Sequence, residues 1–310
     1  MQILPYTELE DKSDIYLLWQ KSFGWPATPD WHRKQLEQTS RLKGGPIGMC
    51  ALEEGKLLGF VGIMTIPTRT KDRTIEQVGG IWGIATRPSA RRRGTARKLL
   101  EESENWMRKH NYRIAMLTTS RAIVAHKWYE SVGYKEIEKV NRLPFYYKLF
   151  SPPRNPEKYL RRINQAYDLD FNQVSKLFNR FTEKRSGFTI RTADDLKPVE
   201  ILGVLSRDCS ISTESGYLLA RESTATIRVG EVFAESVASC RELIKFAEAR
   251  AQYAVGVIHP DHPVVLETLE KMNYKSDPGS YDVVMWKSLD GTAFDDLYDD
   301  SFYLSRNDWF

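Results

Sequence analysis

A chain of 310 residues, 41% apolar, 12% aromatic and 28% charged, has enough apolar material for packed cores, and at roughly 100–200 residues per domain it accommodates two of them. This composition excludes wholesale disorder, and no run of about 18 apolar residues exists to span a bilayer. The formal charge of +4 conceals an acidic end: residues 289–310 hold six Asp and one Arg, which leaves +9 on the rest, a mildly basic body suited to an anionic ligand such as a nucleotide cofactor or nucleic acid.

In chain order, an amphipathic helix is predicted near Asp14–Phe23, from the spacing of Ile15, Leu17, Leu18 and Phe23. Strands follow at Gly48–Leu52 and Leu57–Ile66, flanking the turn pair Glu54-Gly55, and a third runs from Thr74 to Ala85. After a basic loop comes a helix from Gly94 to His110, with Ala96, Leu99, Leu100 and Met107 at helical spacing. A strand at Arg113–Thr118 leads to a helix at Ala122–Val132, ended by Gly133. Strands at Tyr134–Ile137 and Leu143–Phe150 close the segment. Ser151–Pro156 reads as a linker, followed by a polar helical stretch to Lys184.

The remainder repeats part of this plan. Strands at Gly216–Arg221 and Thr226–Ala234 precede a helix at Ser236–Gln252, a strand at Tyr253–Ile258, a helix at Val264–Met272 and a strand from Tyr274. Gly94 to Tyr134 spans 40 residues and Ser236 to Tyr274 spans 38, so the second half reads as a pseudo-repeat.

Chemistry concentrates in Arg91-Arg92-Arg93-Gly94-Thr95-Ala96. Three cations at a helix N-terminus oppose the helix dipole by about 0.3–1 kcal/mol each unless an anion sits there. Free N–H groups, a glycine and the small Ala96 describe a pyrophosphate cradle; the bland alternative is a solvated arginine run. There is no Gly-Lys-Ser/Thr of a Walker loop and no Gly-x-Gly-x-x-Gly dinucleotide fingerprint.

This stretch resembles the acetyl-CoA loop of the GCN5-related N-acetyltransferase (GNAT) superfamily, whose pattern is Arg/Gln-x-x-Gly-x-Gly/Ala. Downstream, Trp128-Tyr129-Glu130-Ser131-Val132-Gly133-Tyr134 resembles that family's Tyr-Glu-x-x-Gly-Phe/Tyr helix end. The resemblance covers residues 1–150 and implies acetyl-CoA as cosubstrate. Ile84, Ala85 and Thr86 would meet its pantetheine arm. Arg91 would fill the family's Arg/Gln position, and the backbone of Arg92, Arg93, Gly94, Thr95 and Ala96 would hold the pyrophosphate. Tyr129 matches the general acid, whose phenol can protonate a departing thiolate. Glu76, on the strand that usually supplies a base, is a candidate for that role and equally a solvated strand-end charge.

In the second segment the corresponding loop, Phe233–Cys240, has no basic run and no glycine, Glu235 would repel pyrophosphate, and Leu269 stands where Tyr129 does. No CoA is expected there. His259-Pro260-Asp261-His262 is an incomplete metal set and reads better as a helix start capped by Asp261; no metal is expected. The cysteines Cys50, Cys209 and Cys240 are odd in number and far apart, giving neither a disulfide framework nor zinc spacing. No secretory signal opens the chain, which reads as cytoplasmic.

The expected fold is α/β (α+β): two GNAT-like mixed-sheet domains with helices on both faces, the second degenerate, at 1–150 and 157–288. An acidic tail, 289–310, follows; its six aromatics predict packing on the body. The tandem is similar to enhanced-intracellular-survival type acetyltransferases without their sterol-carrier domain. That likeness makes the terminal carboxylate of Phe310 a candidate base or substrate anchor. The implied activity is N-acetyl transfer to a small-molecule or peptide amine, without membrane involvement. The alternative is a non-catalytic acyl-CoA sensor. The modest charge, with the arginines accounted for by CoA phosphates, argues against nucleic acid.

Overall fold

The structure, a computed structural model, describes residues 1–26, 28–153, 169–279 and 281–308. It divides into two compact units.

The first unit takes residues 1–137 and 281–299. In chain order it contains β1 (Gln2–Pro5), α1 (Ser13–Phe23), α2 (Pro29–Gln38), β2 (Gly48–Glu53), β3 (Lys56–Arg69), β4 (Ile75–Thr86), α3 (Thr95–Lys109), β5 (Ile114–Ser120), α4 (Val124–Ser131) and β6 (Lys135–Glu136). The predicted Glu54-Gly55 turn is a two-residue hairpin loop with both residues at positive φ, 52° and 75°, the geometry that matches the twist of the flanking strands. Helices cover both faces of the sheet. Ile15, Leu18 and Trp19 of α1 pack on Cys50, Phe60, Trp82 and Ala85; Leu99, Leu100 and Met107 of α3, with Tyr129 of α4, pack on Val61, Ile63, Ile81 and Leu117.

The second unit runs from residue 138 to 279 and adds 300–308. Its elements are α5 (Glu138–Asn141), β7 (Phe145–Leu149), α6 (Phe171–Phe181), α7 (Lys197–Ile201), β8 (Ile211–Thr213), β9 (Gly216–Ser223), β10 (Thr226–Ala234), α8 (Val237–Arg250), β11 (Ala254–Ile258), α9 (Pro263–Lys271) and β12 (Lys275–Asp277). Two elements near the end of the chain, β13 (Asp282–Ser288) and α10 (Phe294–Leu297), belong to the first unit.

The sheets therefore exchange a strand. The first is ordered β1-β2-β3-β4-β5-β13-β6 and the second β8-β9-β10-β11-β7-β12. The strand expected to finish the first segment, β7, instead pairs along β11, from Phe145 opposite Ile258 to Leu149 opposite Ala254. Its counterpart β13 fills the same place in the first sheet, from Asp282 opposite Ser120 to Ser288 opposite Ile114. Residues 154–156 of the expected linker, and the predicted helical stretch up to residue 168, lie outside the described residues.

The pseudo-repeat is visible in matched side chains. In the first unit the buried Glu104 of α3 accepts from the Tyr134 hydroxyl at 3.3 Å and from Lys287 Nζ of β13 at 2.7 and 2.8 Å. In the second, Glu248 of α8 accepts from the Tyr274 hydroxyl at 3.2 Å and from Lys148 Nζ of β7 at 2.9 Å. Each lysine also lies over its tyrosine ring, at 5.6 and 5.5 Å. A buried carboxylate needs such donors, and in both units the exchanged strand supplies the cation.

The tail packs as its aromatics predict. Tyr298 is buried and its hydroxyl meets Thr68 Oγ1 at 2.7 Å, while Phe302, Tyr303 and Leu304 are buried within the second unit.

Candidate active site

The parallel ladder between β4 and β5 joins Gly79 to Ala115, Gly80 to Met116 and Ile81 to Leu117, and then stops. β4 continues to Thr86 and β5 to Ser120. Beyond Ile81 the two strands part, leaving backbone N–H and C=O groups on the facing edge of β4. Such an edge seeks an extended partner.

A bulge marks the same point. On β3, Phe60 and Gly62 pair with Ala85 and Trp82, so one extra residue intrudes on β4. Gly83 carries the strain at φ +58°, a conformation that suits glycine. The insertion shifts the side-chain alternation by one, and Trp82 and Ala85 end in the same aromatic layer under α1. Thr119, on the stretch of β5 past the split, has a buried hydroxyl without a hydrogen-bond partner among the described residues.

β4 feeds the basic loop and then α3. Arg91, Arg92, Arg93 and Gly94 are exposed, with Arg92 at φ +58° and Gly94, the N-cap, at φ +79°. No side chain caps α3 and no acid lies in its first turn, so its N-terminus keeps a positive field for an anion. Thr95 is buried and donates its hydroxyl to the Ala90 carbonyl at 3.2 Å, pinning the loop to the helix. Ala96 is half-buried. Arg93 is held on the surface by both oxygens of Glu53, at 2.8 and 2.9 Å, and Arg87 by Asp14 at 2.7 Å. The free β4 edge at Ile84, Ala85 and Thr86, followed by an uncapped helix start, suits a ligand with an amide-bearing arm and a phosphate group. Acetyl-CoA has this chemistry.

Tyr129 is buried in the core cluster that contains Ile81 and Leu117, the last paired residues before the split. Burial pushes its phenol up to about 12. The hydroxyl makes no hydrogen bond to another described residue, so it has donor capacity to spare.

Glu76 is not brought to the split. It sits at the other end of β4, six to nine residues from Trp82–Ala85, roughly 20–30 Å at about 3.3 Å per residue. Both its oxygens are held by Arg113, at 2.6 and 3.1 Å. Position and partner make it an ion-pair partner of Arg113 rather than a base. Phe310 lies outside the described residues.

The second unit repeats the framework. The β10–β11 ladder ends at Val229 opposite Val257, and β10 has a register shift between Val229 and Glu231. Here the chain's own end packs at the bulge: a Cβ on Gly230 would stand 3.2 Å from Asn307 Oδ1. The α8 N-terminus is capped by Ser236, whose hydroxyl accepts from the Ser239 amide at 3.1 Å. Leu269 is fully buried. Asp261 does not cap α9 as expected; His262 is the N-cap residue, and Asp261 pairs with Arg185 at 2.9 Å. Among the described residues no group of His, Cys, Asp or Glu gathers as metal ligands, and no helix is long and apolar enough to cross a membrane.

Sequence reasoning missed the aromatic layer on the α1 side of the bulge, where Trp19 meets Trp25 edge-on and His32 and Trp82 at a tilt, with centroids 5.0–5.8 Å away. The density of aromatics over residues 16–32 was the available signal.

Comparison with known proteins agrees with this geometry. Residues 12–134 match the model of the acetyltransferase (GNAT) family, and no curated protein matches the sequence. A GCN5-related N-acetyltransferase from Kribbella flavida has a similar structure: 18% identity over 93% of this chain and 72% of that one, with a TM-score of 0.62. Eis1 from Mycobacterium abscessus is 16% identical over 94% and 74%, with a TM-score of 0.59. A putative acetyltransferase from Pyrococcus horikoshii is 12% identical over 97% and 95%, with a TM-score of 0.54. At these identities the likeness is one of fold, and it extends along nearly the whole chain. Residues 12–134 are thus similar to the acetyltransferase (GNAT) family, and the chain has a two-sheet α/β fold similar to that of Eis1.

Proposed function

We propose that the chain is an acetyl-CoA-dependent N-acetyltransferase that acts on a primary amine by direct attack, with Tyr129 as general acid. The observation that carries this reading is the parting of β4 and β5 beyond Ile81, with the uncapped α3 following at the end of β4. Acetyl-CoA supplies the activated thioester. The chain's residues bind, orient and move protons. Backbone groups of Ile84, Ala85 and Thr86 take the pantetheine amides, and an N–H of this edge polarises the acyl oxygen. The first-turn N–H groups of Thr95 and Ala96, with Arg92, Arg93 and Gly94, hold the pyrophosphate, and Arg91 adds charge. The Tyr129 hydroxyl donates its proton to the departing thiolate; its burial keeps that proton in place until then.

With Glu76 engaged elsewhere, the resemblance to the enhanced-intracellular-survival type leaves the Phe310 carboxylate to take the amine's proton. The test is thiol release from acetyl-CoA against an amine panel, with wild type, Tyr129→Phe and a chain lacking Phe310. Turnover with one amine class, lowered about a hundredfold in Tyr129→Phe at unchanged CoA affinity, is the expected result. Tight CoA binding without turnover on any amine would establish an acyl-CoA sensor instead. Full activity without Phe310 would remove its carboxylate from the mechanism.

A further inference from the structure

In the second unit, one face of the sheet carries cations that the fold does not pair. Arg221 of β9 stands directly opposite Arg228 of β10, and like charges set across two strands repel. Their neighbours in alternation, Ala220, Ile227 and Val229, lie in the core with α8 and α9, so both arginines lie on the other face. Arg180, Arg185, Arg191 and Arg207 of this unit each meet a carboxylate. Arg221 and Arg228 meet none among the described residues, although both are half-buried. Burial and the Arg228 charge hold the Arg221 guanidinium below its usual range.

The surroundings extend this pair into a surface with a shape. Ser223 and Thr226 form the next opposite pair on the same face, and their hydroxyls make no hydrogen bond to another described residue. Two guanidinium groups and two hydroxyls thus rise from a rectangle of backbone of about 5 by 7 Å. On the flank of β10, Thr226 is level with Ala254 and Arg228 with Gly256 of β11, two small residues that leave the rectangle open on that side. A Cβ on Gly256 would collide with the Phe145 ring. That ring therefore lies over the glycine, and it is nearly parallel to Tyr147, with centroids 6.2 Å apart and planes at 15°. The two form a flat apolar wall beside the cations. Leu149, further along β7 on the same face, is 70% exposed, so this end of the face opens to solvent.

The chemistry of the surface is selective. A guanidinium fork gives two parallel N–H bonds to an oxyanion and keeps its charge at any working pH. A carboxylate offers one charge and two oxygens. A phosphate monoester offers nearly two charges and three oxygens, which matches two forks and two hydroxyl donors. The flat wall suits a ring attached to that phosphate.

We infer that this face of β9 and β10 is a second binding site, for a phosphate monoester with a flat ring body, as in a nucleoside monophosphate. Arg221, Arg228, Ser223 and Thr226 hold the phosphate, and the ring lies on Phe145. The site belongs to the second unit and its occupation does not depend on acetyl transfer.

The experiment uses the full chain and three probes: AMP, adenosine (the same body without the phosphate) and inorganic phosphate. Binding is read by calorimetry. AMP is expected to bind about tenfold or more tightly than either other probe, the worth of charge-assisted bonds on one side and of ring stacking on the other. Arg221→Gln and Arg228→Gln should each weaken AMP about tenfold. Arg221→Lys keeps the charge and most of the stem, and should recover part of that loss. Melting curves without ligand report whether each variant folds. AMP also has access to the Arg91–Ala96 loop, so Arg92→Gln with Arg93→Gln serves as the control and should leave AMP affinity within twofold. Failure of wild type to bind AMP overturns the inference. So does AMP affinity unchanged in both folded arginine variants, or lost in the loop control, which would put the nucleotide at α3. Adenosine binding as tightly as AMP would remove the phosphate from recognition, and inorganic phosphate binding as tightly would remove the ring; either result overturns the assignment.

Discussion

Replacing Arg191 by methionine removes the cation at the centre of the second unit. Its guanidinium meets Glu231 at 2.5 and 3.0 Å and Asp308 at 2.9 Å, with all three side chains at most 3% exposed. It also lies 3.6 Å from the Phe178 ring centroid, and the Tyr217 hydroxyl donates to Glu231 at 2.7 Å. Methionine roughly fills the stem volume but takes the cation away from two buried carboxylates, Glu231 and Asp308. Breaking a buried pair in this way costs about 3–5 kcal/mol. An independent bound agrees: protonating one ordinary carboxyl at pH 7, about three units above its usual value, costs roughly 4 kcal/mol. For a unit of this size about 2–4 °C is lost per kcal/mol, so its melting temperature should fall by roughly 6–20 °C. Calorimetry on the full chain reads this. Adding Glu231→Gln and Asp308→Asn should recover most of the loss, since neutral groups tolerate burial better. A loss below about 1 kcal/mol at pH 7, or no recovery in the triple variant, would refute the charge-burial argument.

Three other outcomes are expected. Because burial holds the Tyr129 phenol up near 12, it keeps its proton to higher pH than a free phenol. The kcat profile should therefore show no alkaline fall below roughly pH 10 that Tyr129→Phe abolishes. Glu76→Gln should leave thiol release within about twofold of wild type while lowering stability by about 1 kcal/mol, the modest value of a half-exposed ion pair; a hundredfold activity loss would restore it as a base. In the β9–β10 hairpin, Thr224 and Ala225 sit at φ 53° and 58°, so replacing them with Asn and Gly should stabilise the chain by about 1–2 kcal/mol in denaturant titrations.

The elements around the site were legible because their signals are local. The turn Glu54-Gly55, the Arg91–Ala96 loop and the helix ending at Gly133 each carry their own backbone chemistry, and the structure puts them where that chemistry predicts. The exchange of β7 and β13 was not legible. Both are short stretches of alternating or continuous apolar residues, and nothing local distinguishes one sheet from the other as partner. Each exchanged strand brings a lysine, Lys148 or Lys287, to a buried glutamate on a helix of its unit, so even this contact is the same in both. The two readings of Glu76 stayed open for a related reason: a strand shows which residues it contains but not which end opens. The split at Ile81 depends on the β5 partner and on the bulge at Gly83, neither of which the β4 sequence reveals alone. Likewise Trp19, His32 and Trp82 are separated in sequence and become one cluster only when α1 and α2 fold over β4.

The strand exchange bears on how the protein is made. During synthesis the first sheet has everything except β13 once residue 137 has emerged, yet β13 is 145 residues further on. At about 5–20 residues per second, the ribosome delivers it roughly 7–29 s later. Throughout that interval β5 presents a bare edge, and Glu104 lacks its lysine. The nascent first half must then wait, partly assembled, for β13, and early termination anywhere before residue 288 would leave a sheet primed to pair with a stranger.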